Sequence, residues 1–147
     1  MTRTSRVALL ALILAGACRK HQDAAPASAR PPADPAAADA QTLGREVFTL
    51  VDRAADYRGS HRGRYPASVA RLGIDSLTPT TARRLSASGT TLTVTVNFRR
   101  AAGHAITACS GGADVLEAAS LNDGKFSVDC VGADGTSRPM RVSRSGP

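Results

Sequence analysis

The sequence predicts an α+β domain. One apolar stripe recurs at helical spacing between Leu43 and Ala54, and strict alternation of apolar and polar residues sets in near Thr90. The length of 147 residues favours one modest domain. A barrel of eight βα units or a doubly wound nucleotide fold needs far more chain than this. Trp is absent and only five residues are aromatic, so the core must be built from aliphatic side chains.

The first element is a helix from about Gln41 to Arg58, with Asp39 as its expected cap. Leu43, Val47, Leu50, Val51 and Ala54 form one face, and Arg45, Glu46, Asp52, Arg53 and Asp56 fall off it. Gly59, Gly63 and Pro66 end the helix and open a loop. A short second helical piece is expected from Pro66 to Leu72, with Pro as its first residue. Residues 74–88 read as polar and irregular, with Leu77 and Leu85 as core anchors.

The period then switches to two. Leu92, Val94, Val96 and Phe98 alternate with Thr91, Thr93, Thr95 and Asn97, which predicts a half-buried strand. Residues 100–103 read as a turn into a second strand, His104–Cys109, which Ser110-Gly111-Gly112 breaks. Val115–Leu121 fits a strand or a helical turn. Asn122-Asp123-Gly124 has the residues of a hairpin turn, since all three tolerate positive φ. A further strand follows, with Phe126, Val128 and Cys130 alternating. Residues 132–147 are rich in Gly, Ser and Arg and are expected to be a mostly irregular tail, with room for one edge strand at Met140–Val142.

Ahead of the domain the chain has two segments of other character. Arg3 and Arg6 precede an eleven-residue apolar run, Val7–Ala17, too short for a bilayer core that needs about 20 residues. The run ends in Leu14-Ala15-Gly16-Ala17-Cys18. This resembles the lipobox of bacterial lipoproteins, departing from its commonest form in having Ala15 where Leu is usual. The resemblance implies a signal peptide over 1–17 and a Cys18 that is diacylated on sulfur, becomes the mature N-terminus and is acylated on its amine. The plainer alternative is an ordinary signal peptide cleaved near Ala17. Residues 19–40 hold nine Ala and four Pro with balanced charge, so 18–40 is expected to be a disordered tether behind the anchor. The predicted placement is therefore a bacterial cell envelope. Arg19 after Cys18 favours the outer membrane, on its periplasmic or surface face, by analogy with enteric sorting.

A second resemblance covers residues 41–131. A helix leading into Asp56-Tyr57-Arg58, then Gly63-Arg64-Tyr65-Pro66-Ala67-Ser68, a Leu-bearing turn and an antiparallel sheet with a late Cys pair are similar to the headpiece of type IV pilin-like and pseudopilin domains. Phe48-Thr49-Leu50-Val51-Asp52 is similar to the start of a mature pilin, but no apolar run of about 20 residues follows it. The resemblance thus implies a headpiece whose shaft helix is replaced by a lipid anchor.

Few residues point to chemistry. With Cys18 assigned to lipid, Cys109 and Cys130 form an even pair in an exported domain, most simply one disulfide. It would close a loop of about 20 residues and contribute about 3 kcal/mol. The three His, at 21, 61 and 104, are too scattered for a metal motif, and no metal or cofactor is expected. Asn122-Asp123-Gly124 lacks the spaced acids of a calcium loop. His104 with Asp129 and a serine could be imagined as a catalytic set, but nothing frames a nucleophile, so no catalytic residue is assigned.

The formal charge of +7 comes from 17 Arg and two Lys against 12 acids, and residues 41–147 carry 14 basic against nine acidic groups. Arg58, His61, Arg62 and Arg64 crowd one loop. They read either as an anion-binding site or as a solvated loop in a chain that uses Arg throughout, and the second reading is preferred. The leading expectation is a non-enzymatic, membrane-anchored envelope lipoprotein displaying its domain to a protein or surface. The alternative is a module binding anionic envelope polymers (lipid A phosphate, acidic glycan or DNA) through residues 58–64. Nucleic acid as the principal partner is not expected.

Overall fold

The computed structural model describes residues 34–74 and 78–146. The predicted signal peptide, Cys18, the tether up to residue 33 and Leu77 lie outside them. The elements run α1 (Pro35–Ser60), a 3-10 turn (Val69–Leu72), β1 (Thr81–Ser88), β2 (Thr91–Phe98), β3 (Ile106–Gly111), α2 (Asp114–Leu121), β4 (Lys125–Gly132) and β5 (Ser137–Ser143). The five strands form one antiparallel sheet in sequence order, β1-β2-β3-β4-β5. One face of that sheet packs against α1, an α+β arrangement as predicted.

The helix starts earlier than its apolar stripe suggests. Asp34 caps it by accepting a hydrogen bond from the Ala36 amide at 2.9 Å, and Pro35 takes the first helical position. Pro is well suited there, because its missing N–H would have no partner in the first turn. The tether expected to reach residue 40 therefore cannot include residues 35–40, and Asp39 lies inside the helix instead of capping it. At the other end the helix runs through Gly59 to Ser60. The amides of His61 and Gly63 then both return to the Arg58 carbonyl, with Arg62 and Gly63 at φ of 53° and 76°.

Leu43, Val47, Leu50, Val51 and Ala54 are fully buried. They meet Leu92, Val94, Val96 and Phe98 from β2, Ile106 and Cys109 from β3, Phe126, Val128 and Cys130 from β4, and Val142 from β5. The opposite sheet face is polar, with Thr93, Ser127 and Asp129 exposed. Of the alternatives left open for residues 115–121, the helical one holds. Three expectations need correction. Residues 81–88 form an edge strand paired along its whole length with β2. Asn122-Asp123-Gly124 turns from α2 into β4 and closes no hairpin, although Asp123 and Gly124 do take positive φ. The tail contributes a seven-residue strand, β5, far more than residues 140–142.

Gly44 sits in the middle of α1, where glycine costs about 1 kcal/mol relative to alanine. A Cβ built there would meet Val142 Cγ2 at 2.6 Å and Val128 Cγ2 at 3.2 Å. The glycine lets the helix backbone lie directly on β4 and β5. Gly44→Ala should therefore destabilise the domain by about 1–3 kcal/mol in urea unfolding, against the gain its helix propensity alone would give.

Candidate functional site

Three polar side chains on the first half of α1 reach the sheet. Asp39 Oδ1 accepts from His104 Nδ1 at 2.8 Å, and Oδ2 accepts from the amides of Ala105 at 2.7 Å and Ile106 at 3.1 Å. The Gln41 amide group donates to the Ser143 carbonyl at 2.6 Å and accepts from the Ser143 amide at 3.0 Å, bonding the end of β5 as another strand would. Glu46 Oε2 accepts from Thr81 Oγ1 at 2.8 Å and Arg83 Nε at 3.1 Å. Glu46 is buried, not solvent-facing as its place beside the apolar stripe predicts, and its Oε1 has no partner.

His104 is held on two sides, since its ring also stacks on Phe98 with centroids 3.6 Å apart. The imagined pairing with Asp129 is not formed. Asp129 pairs across the ladders with Ser110 and Pro139, and Asp39 takes its place at the imidazole. Burial pushes the Asp39 carboxyl up, but the bonds from His104, Ile106 and Ala105 together outweigh it and hold the group below the ordinary carboxylate range. Such a group stabilises the fold above its unfolded value near 3.8, and the contribution is lost as pH falls through the lower folded value. Asp39→Asn should cost about 1–3 kcal/mol in urea unfolding at neutral pH. That deficit should shrink as pH falls below the ordinary carboxylate range and through the lower folded value, where the wild-type carboxyl is neutralised as well.

Cys109 and Cys130 face each other across β3 and β4, 21 positions apart, with their sulfurs at bonding distance, 1.98 Å. Both are buried on the α1 side of the sheet. No group of three or more His, Cys, Asp or Glu suited to a metal occurs among the described residues. Among the same residues, no helix is long and apolar enough to cross a membrane.

The basic loop lies at the C-terminal end of α1, and the structure divides its members. Arg58 is used internally. Its Nε donates to the Gly63 carbonyl at 3.2 Å and its Nη1 to the Tyr65 hydroxyl at 3.3 Å, and its guanidinium lies 5.0 Å from the centre of the Tyr65 ring. It also complements the negative end of the helix dipole. His61 is a wall more than a cation site. Its ring stacks on Tyr57 at 3.6 Å and 3°, and Nδ1 lies 2.9 Å from the Tyr57 carbonyl. The same Nδ1 also lies 2.9 Å from Ser60 Oγ, so the ring is fixed from the helix side.

Arg62 and Arg64 are exposed, and both line a cavity of about 560 Å³ with Tyr57, Ser60, His61, Tyr65, Ala67 and Arg71. That volume falls in the range of small-molecule sites. Arg71, on the 3-10 turn, belongs to this group although residue spacing did not assign it there. Its only sequence signal is one more Arg in a Leu-bearing turn. Among the described residues no carboxylate lies within ion-pair distance of Arg62, Arg64 or Arg71. Arg62 holds a left-handed backbone that costs a side-chain-bearing residue about 1 kcal/mol or more.

No family model matches the chain, and neither a curated protein nor a solved structure matches it.

Proposed function

We propose that this chain is a non-enzymatic, lipid-anchored protein of a bacterial envelope, displaying a pilin-like α+β domain for interaction with a protein or a surface. The observation that carries this reading is the pairing of cysteines. Cys109 and Cys130 stand at bonding distance inside the core, which suits an oxidising compartment and leaves Cys18 as the one remaining thiol. Cys18 directly follows the apolar run Val7–Ala17, where an acyl anchor would belong. Several acyl chains hold a protein stably at a bilayer where one is marginal. A long helix laid on an antiparallel meander is also what the pilin-like resemblance implies. We assign no catalytic role to His104: Asp39 orients its Nδ1 as an acid orients a catalytic imidazole, but no nucleophilic side chain is hydrogen-bonded to the ring among the described residues.

A second reading, binding of anionic envelope polymers through the 58–64 loop, is favoured by the placement of Arg62, Arg64 and Arg71 on one cavity. The first reading is tested by growing cells on a palmitate analogue. Label should enter the wild-type chain and be absent from Cys18→Ala. In chain recovered from the membrane fraction, peptide mapping without reductant should find Cys109 linked to Cys130. Label that persists in the variant, or an unlabelled wild type, would overturn the anchor.

A further inference from the structure

We infer that the cavity between the end of α1 and the 3-10 turn is a phosphate site, with Arg62, Arg64 and Arg71 as the binding groups and the stacked Tyr57–His61 pair as one wall. This rests on the second reading above and narrows it to one ligand chemistry. Three guanidinium groups line one opening with no carboxylate partner among the described residues. A single carboxylate would leave most of that charge unmatched. A phosphate monoester carries about −1.5 to −2 at neutral pH and offers three strong acceptor oxygens, each able to take an N–H from a guanidinium fork. Arg58 is outside the set because it does not line this cavity, and its Nε and Nη1 serve Gly63 and Tyr65.

The backbone at Arg62 is an independent sign. Residue 62 adopts φ of 53°, where glycine or asparagine would sit with less strain, and Gly63 beside it continues the left-handed turn. A Cβ-bearing cation is therefore kept at a position that local stability disfavours. Strained positions of this kind gather at binding sites, where what the side chain does offsets its backbone cost. Arg62 lies in the turn over residues 61–63 that leaves α1, and it lines the cavity.

The test is titration of the purified full chain with glucose 6-phosphate, glucose and acetate, followed by calorimetry. Saturable binding of the phosphate ester, with acetate weaker by about ten-fold or more and glucose silent, is expected. Arg62→Gly should lose about ten-fold or more in affinity while unfolding at the same or a higher temperature. Arg71→Gln should lose a comparable factor, and Arg138→Gln, an equal change in charge on β5, should lose little. Vesicles of phosphatidylcholine with and without phosphatidic acid separate the two sources of the phosphate. Binding that needs the vesicle-borne monoester and the same arginines assigns the site to a lipid headgroup, and binding in solution assigns it to a soluble ester. Heparin retention separates the two levels of the reading. Retention lost in Arg62→Gly without any phosphate binding overturns the phosphate site and leaves the polyanion reading standing. Retention that falls equally in Arg138→Gln overturns both.

Discussion

The sheet has one apolar face, and a single long helix has to cover most of it. Without α1, the side chains of Leu92, Val94, Val96, Phe126 and Val128 would face water, and no other element is long enough to replace it. Burial supplies the driving force but sets no direction. Direction comes from three polar side chains within about two turns of the same helix. Asp39 fastens it to the entry of β3, Gln41 to the edge strand β5, and Glu46 to the opposite edge strand β1. Two of the three accept from or pair with backbone groups, which lets them specify a position along a strand as well as a contact. Gly44 lies between Gln41 and Glu46, and its missing Cβ lets the helix backbone approach Val142 and Val128.

Local periodicity made β2, β4 and the stripe of α1 legible, because in each the buried residues follow one another at the spacing of the element itself. β1 has no such pattern. Residues 81–88 form an edge strand with only Thr81 fully buried, so its membership in the sheet is decided by pairing with β2 and leaves little trace in its own composition. The eight residues of α2 are too few to separate helix from strand by period. Pro35 was misleading for a different reason, since the same residue that breaks a helix interior is favoured at its first position.

The fasteners were beyond the reach of sequence because their partners lie far along the chain. Asp39 meets residues 65 to 67 positions away, Glu46 meets Thr81 and Arg83 at 35 and 37, and Gln41 meets Ser143 at 102. Several of those partners are backbone amides or carbonyls, which carry no signature at all. The basic loop was visible as composition, yet its division of labour was not. Whether an arginine serves the loop or faces outward depends on the turn at Arg62 and Gly63, which directs Arg58 inward to Gly63 and Tyr65.

That contrast between long-range and local ties separates stability from binding in this domain. Every side-chain bond joining α1 to the sheet comes from residues 39–46, whereas the polar bonds around the cavity span only one to seven positions. The C-terminal half of α1 is held to the sheet by the apolar contacts of Leu50, Val51 and Ala54 and needs nothing from Arg62, Arg64 or Arg71. The turn can therefore hold a strained residue, and could exchange its charges, without loosening the helix from the strands. A ligand at the cavity would order a segment that the fold itself constrains only locally.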